Sequence, residues 1–164
     1  MNKFEKISAF QFLLDFEGLD LDLYADYDEI KLPKRATKNS AGYDIFNPFN
    51  HDIVLQAGET IKFPTGIRVL LDDDKVLLIT PRSGLGFKYR LQLDNTIGVI
   101  DADYSSSGNE GHIWVKITND SKEDKMVIIP KGSAVCQGII VKFYTTEDDN
   151  TDGVRNGGFG STDK

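Results

Sequence analysis

Residues 80–104, TPRSGLGFKYRLQLDNTIGVIDADY, gather the side chains best suited to chemistry. The stretch opens with Arg82, Ser83 and Gly84 in succession: a planar guanidinium, a hydroxyl and unhindered backbone amides. Such a trio suits the oxygens of a phosphate chain, because the guanidinium grips two oxygens at once and backbone approaches closely where no Cβ intervenes. The stretch closes with Asp101, a carboxylate able to take a proton, and Tyr104, a flat ring, after the apolar run 97–100. Between them Asp94 and Asn95 end an alternating segment and predict the turn of a β-hairpin. A clamp and a carboxylate on one stiff piece of sheet point to chemistry at phosphorus. Each feature alone has a plainer explanation: a surface turn, an Asp capping amides, a half-buried strand aromatic.

The elements that must position these residues are short and extended. Alternation predicts strands over residues 43–46, 52–55, 58–62, 66–71, 75–80, 112–117, 126–129 and 134–141, punctuated by turns at 56–59, 72–75 and 120–125. Many short strands with almost no helical periodicity describe an all-β sandwich or barrel. Residues 2–18 are the exception: Phe4, Ile7, Phe10 and Leu14 recur at near-helical spacing before Gly18, predicting an amphipathic helix. Residues 19–24 alternate apolar and acidic side chains, as a charge-guarded edge strand would. From Thr145 the chain turns acidic and polar, a linker composition, and it ends in a glycine-rich GGFGSTDK. That tail lacks the Gly-Lys-Ser ending of a P-loop, and no strand precedes it.

The totals narrow the function classes. A chain of 164 residues is long enough for one domain with a sizeable core. The net charge of −7 argues against a nucleic-acid polymer as partner, since that affinity requires neutralising many phosphates. No apolar run approaches the roughly 20 residues of a membrane helix, and no leader pattern is present, so a cytoplasmic, membrane-free protein is expected. The single Cys136 excludes an internal disulfide and the paired cysteines of zinc deaminases, and reads as an inert core thiol. His51 and His112 show no metal-ligand spacing.

The 80–104 stretch closely resembles motifs two and three of the trimeric deoxyuridine triphosphatases (dUTPases). The family's other signatures follow in order: Ala41-Gly42-Tyr43-Asp44 upstream, residues 132–137 downstream, and Gly157-Gly158-Phe159-Gly160-Ser161-Thr162 near the end. The resemblance runs from about residue 32 to residue 162. It implies a distorted jelly-roll β-barrel in a homotrimer with shared active sites. The expected divisions are an N-terminal helical extension at 1–18, the barrel at 19–144 and a flexible arm at 145–164 that closes over the site.

The resemblance also implies roles. Hydrolysis of dUTP to dUMP and pyrophosphate, with Mg2+, would limit uracil in DNA and supply dUMP. Asp101 would be the base that activates water. Arg82, Ser83, Gly84, Gln137, Arg155, Gly160, Ser161 and Thr162 would hold the phosphates. Asn95, Gly98, Val99 and Ile100 would read uracil, Tyr104 would lie against the deoxyribose and leave no room for a 2′-hydroxyl, and Phe159 would stack on the base. The cation would ride on the phosphates with no direct protein ligand, and Asp44 would reach it through water.

The chain also departs from the family pattern. Residues 105–110, SSSGNE, replace the single residue usual between the motif-three Tyr and the next Gly, and read as a flexible surface insertion. Ser105 stands for the familiar basic residue there and Ala134 for an Arg, while the segment from Arg155 to Gly158 is one residue short. Trp114 reads as a packing or subunit-interface residue. Two alternatives stay open. A dCTP deaminase, or a bifunctional relative, would use a Glu in the strand after the hairpin, where this chain has His112 to Lys116 without one. A non-catalytic nucleotide-binding regulatory module would not need Asp101 or the intact arm.

Overall fold

A computed structural model describes residues 1–17, 19 and 23–153. The described residues form twelve strands, all antiparallel, in four sheets. The largest has five strands. At its centre β12 (Ala134–Lys142) pairs on one side with β3 (Tyr43–Phe46) and on the other with β7 (Lys75–Pro81). Outside them lie β2 (Lys34–Arg35) and β9 (Gly98–Asp101). A three-stranded sheet sets β10 (Trp114–Asn119) between β5 (Thr60–Pro64) and β8 (Leu91–Leu93). Two-stranded ladders join β4 (Ile53–Leu55) to β11 (Val127–Ile129) and β1 (Lys3–Lys6) to β6 (Ile67–Leu70).

Period-two patterning explains this arrangement. In β10, Val115, Ile117 and Asn119 are buried while Lys116 faces solvent. In β4 and β11 the outer residues point in and the middle one out. The inward sets meet in one core that includes Phe63, Ile67, Leu77, Leu91, Ile113, Ile117 and Val135, all at most 1% exposed. Burying such a side chain stabilises by roughly 1.5–3 kcal/mol. Cys136 is buried in the same core, and burial pushes its thiol up to about 12, as an inert residue requires.

The N-terminal extension differs from the expected single helix. Lys3–Lys6 is a strand whose Phe4 sits opposite Val69, and the helix α1 covers only Ala9–Asp15. Ser8 divides the two, because its side chain accepts a hydrogen bond from the Gln11 amide and caps the helix. The buried apolar residues are therefore Phe4, Ile7, Phe12 and Phe16, while Phe10 is 71% exposed and Leu14 46%. The Phe12 and Phe16 rings stack at 4.1 Å inside the common core. The edge strand expected at 19–24 is not formed by the described residues there, of which Tyr24 makes one isolated bridge to Phe49. Gly18 and residues 20–22 lie outside the described residues.

A second helix, α2 (Ser83–Tyr89), follows β7 directly and ends at Arg90 in the left-handed region, φ 56°. Its sequence SGLGFKY carries two glycines and no amphipathic stripe, so helical periodicity does not mark it. Residues 143–153 are exposed and lack regular structure.

Candidate active site

The phosphate-type residues assemble around the middle of the five-stranded sheet. Because β12 pairs with β3 and β7, Gln137 lies opposite Asp44 on one side and Thr80 on the other. The chain then leaves β7 through Pro81 and Arg82. Arg82 Nε stands 3.1 Å from Asp44 Oδ1, and Gln137 Nε2 donates to the Pro81 carbonyl at 3.2 Å. Gly42 makes room for this: a Cβ there would lie 2.3 Å from Gln137 Oε1. Asp44 and Gln137 are partly buried, and Arg82 is the residue before the first turn of α2.

Ser83 and Gly84 open α2 and are exposed. The first-turn amides of a helix have no partner within it and carry partial positive charge, so an anion is favoured at that end. Pro81, Arg82, Ser83, Gly84, Gly86 and Phe87 line an open cavity of about 600 Å³ here. The Arg82–Asp44 pair is partly exposed, and such pairs stabilise by only about 0–1 kcal/mol. An arriving phosphate can therefore compete for the guanidinium.

The nucleoside-type residues collect elsewhere. Asn95, Gly98, Val99, Ile100 and Tyr104 all line a second cavity, about 590 Å³. In β9, Val99 pairs with Leu78 and Gly98 with Ile79, where a Cβ on Gly98 would stand 3.1 Å from Ile79 Cβ. The 94–97 turn is tight: the Thr96 amide donates to Leu93 O at 2.9 Å, the Ile97 amide to Asn95 O at 2.7 Å, and Thr96 has φ 66°. It is anchored to β10 through Asp94, which accepts from Lys116 Nζ at 2.7 Å and Thr118 Oγ1 at 2.6 Å. The Lys116 bond, with Thr118 second, holds the Asp94 carboxyl below its ordinary range.

This turn does not close the simple hairpin that its sequence predicts. The strand before it, β8, pairs with β10, and the strand after it, β9, pairs with β7. The turn carries the chain from the three-stranded sheet into the five-stranded one, and its Asp94, Asn95 and Ile97 line the cavity.

Asp101 ends β9 opposite Val76 and occupies the cap position of a 3-10 turn over Ala102–Ser106, yet its carboxylate makes no capping hydrogen bond. Tyr104 is only 5% exposed, with its hydroxyl donating to His112 O at 3.0 Å. Arg155, Phe159, Gly160, Ser161 and Thr162 lie outside the described residues.

A family model described as dUTPase matches residues 28–163. The chain belongs to the dUTPase family. Among its curated relatives, the deoxyuridine 5′-triphosphate nucleotidohydrolase of Lactococcus lactis is 38% identical over 144 residues, covering 81% of this chain and 88% of that protein. The namesake from Rickettsia felis is 40% identical over 136 residues, covering 80% and 87%. Among solved structures, the dUTPase of Streptococcus mutans superposes with a TM-score of 0.62 at 32% identity, covering 88% of this chain and 98% of that one. A dUTPase from phage phi11 of S. aureus, whose structure bears on coordination of a structural Mg(II) ion, has a TM-score of 0.61 at 21% identity, covering 93% and 97%. The mostly β, jelly-roll-like fold expected of a dUTPase is thus the fold of this chain.

Three features of the candidate site lie outside the sequence motifs. Trp114 and Lys62 line the second cavity, with the Lys62 ammonium 4.9 Å above the Trp114 ring. Alternation in β10 could have placed Trp114 on the face opposite buried Val115 and Ile117, but nothing local ties it to Lys62 in β5. The 105–110 stretch is not a loose surface loop: Ser107 is 7% exposed, and Asn109 Nδ2 donates to the Tyr104 hydroxyl at 3.0 Å. His112 is fully buried, its Nε2 accepting from the Gly66 amide at 2.8 Å and its Nδ1 standing 2.5 Å from Asp15 Oδ2.

Proposed function

We propose that the chain hydrolyses dUTP to dUMP and pyrophosphate. Water attacks the α-phosphorus, its proton passes to the Asp101 carboxylate, and the bond from the α-phosphorus to the bridging oxygen breaks. Pyrophosphate leaves with that electron pair. A carboxylate is a weak base, so placement of the water and stabilisation of charge on the phosphates must supply most of the acceleration. Arg82, Ser83, the Gly84 backbone and Gln137 serve the phosphates. Asn95 and the 98–100 backbone read uracil, with Tyr104 against the sugar. Arg155, Phe159, Gly160, Ser161 and Thr162 complete the site as a lid, and the enzyme limits uracil in DNA while supplying dUMP.

The observation that carries this reading is the single cavity that Asn95, Gly98, Val99, Ile100 and Tyr104 share, beside a separate Arg82–Asp44–Gln137 cluster. No residue lines both this cavity and the one at Ser83 and Gly84. We infer that base and phosphate are held by halves from two copies of the chain, as a homotrimer with shared sites would supply. Phe87, 96% exposed beside the phosphate cavity, and Val99, 58% exposed, offer the apolar surface such a contact buries.

Asp44 is a lone carboxylate beside Arg82, and among the described residues no three His, Cys, Asp or Glu side chains cluster. That donor set fits Mg2+ carried on the triphosphate and reached from Asp44 through water, the usual manner of Mg2+ with phosphate substrates. When bound, the ion would neutralise phosphate charge. No helix among the described residues is long and apolar enough to cross a membrane, and we place the reaction in the cytoplasm. The divisions 1–18, 19–144 and 145–164 are proposed as extension, catalytic barrel and arm.

The deaminase alternative lacks its Glu, since β10 reads Trp-Val-Lys-Ile-Thr-Asn. Pyrophosphate release from dUTP, dCTP, UTP and dTTP, measured side by side, tests the reading. Release from dUTP alone supports it; no release from dUTP with Mg2+ present defeats it.

A further inference from the structure

The stretch that departs most from the family pattern, residues 105–110, packs behind Tyr104, which lines the cavity shared with Asn95 and Val99. After the 3-10 turn Ala102–Ser106 the chain doubles back, with Ser107 Oγ 2.6 Å from Tyr104 O and 2.7 Å from Asn109 Oδ1. Asn109 Oδ1 also accepts from the Gly111 amide at 3.2 Å. The return requires glycine: Gly111 has φ +73°, and a Cβ there would meet Ser105 Cα at 2.7 Å. The Gly111 amide can only donate, so it faces the Asn109 oxygen and leaves the Asn109 NH2 group for the Tyr104 hydroxyl, whose own proton goes to His112 O. Next along, Glu110 takes the Ser8 amide at 2.8 Å and the Ser8 hydroxyl at 2.6 Å, tying this brace to the start of α1.

We propose that Asn109 is a positioning residue for sugar discrimination, holding the Tyr104 ring rigid enough to exclude a 2′-hydroxyl. This rests on the reading of Tyr104 given above. A steric filter rejects an added group only as strongly as its wall resists moving, and an apolar pocket that can relax discriminates poorly. The His112 carbonyl takes the phenol's proton and restrains its oxygen along one direction. The bond from Asn109 reaches the same oxygen from a second direction, out of a segment tied to the extension through Ser8, and so resists its displacement. The tyrosine wall is thus stiffened by two pieces of chain, residues 105–110 and 1–17, that make no contact of their own with a nucleotide in this reading.

The test measures kcat/KM for dUTP and for UTP in the full-length protein and in Asn109→Leu, Asn109→Asp and Tyr104→Phe. Losing one hydrogen bond at a buried site should lower the dUTP/UTP ratio of Asn109→Leu by roughly tenfold. Asn109→Asp should lower it about as far, because the phenol's proton stays on His112 O and a carboxylate has no donor to offer the phenol oxygen. In the Tyr104→Phe background Asn109→Leu should change the ratio no further. A purely structural role would weaken both substrates alike and leave the ratio fixed, which overturns the proposal. An additive effect in the Tyr104→Phe background overturns it too. If Asn109→Leu does not fold, Asn109→Ala carries the same expectation. Wild type that leaves dUTP intact overturns the functional reading itself, whereas wild type that cleaves dUTP with an unmoved ratio overturns only the brace.

Discussion

Arg82 and Asp44, far apart in the chain, face each other at 3.1 Å because β7 and β3 both pair with β12. The contact holds the guanidinium over Gln137's row of the sheet before any phosphate is present. A guanidinium so placed needs little reordering to grip two oxygens, which a lysine ammonium cannot do. Arg82→Lys should therefore lose activity nearly as far as Arg82→Ala, roughly 10²–10³-fold in kcat/KM. Steady-state kinetics on both variants checks this; full activity in Arg82→Lys would show that charge alone suffices there.

Asp101 separates binding from chemistry. Asp101→Asn keeps shape and removes the base of the proposed reaction, so turnover should fall by roughly 10²–10⁴. Affinity for a non-hydrolysable dUTP analogue, read by calorimetry, should stay within severalfold of wild type. Wild-type turnover in this variant would remove Asp101 from the role of base.

Gly42 offers a test in which stability and activity part company. The added methyl of Gly42→Ala would collide with Gln137 Oε1, the far end of a flexible side chain that can swing aside. Thermal stability should change by less than about 1 kcal/mol, as for most substitutions outside the core. The swing breaks the Gln137–Pro81 bond and empties the phosphate row, so KM for dUTP should rise. A large loss of stability with unchanged KM would contradict this placement of Gln137.

Most strands were legible in the sequence because their inward positions are Val, Ile, Leu and Phe at period two, as in β10 and β4. Asn95, Gly98, Val99, Ile100 and Tyr104 share one cavity because their spacing along the chain is short. What was hidden depends on partners distant in sequence. Phe4 and Ile7 sit at helical spacing, yet Phe4 pairs across to Val69 and Ser8 starts the helix afresh. The two glycines of α2 argue against a helix that its place between β7 and β8 nonetheless imposes. Residues 105–110 have loop composition, and their order comes from Ser8, His112 and Tyr104.

The same distance hid His112, whose burial makes a prediction about pH. Its ring is 0% exposed, with Nε2 accepting from Gly66 N–H and Nδ1 against Asp15; Glu110 is the other nearby carboxylate acting on it. Desolvation lowers its pKa from the ordinary 6.5, outweighing the opposing pull of Asp15 and then Glu110. The native state therefore keeps the ring neutral where the unfolded chain would protonate it. Stability from this group is complete above the unfolded value near 6.5 and falls as pH drops below it toward the lower native value. One proton sets the upper slope at roughly 1.4 kcal/mol per pH unit. Denaturant unfolding between pH 5 and 7.5 should show this fall in wild type and a flatter profile in His112→Gln, which cannot titrate. Equal slopes in the two proteins would mean that the buried ring is not the group being protonated.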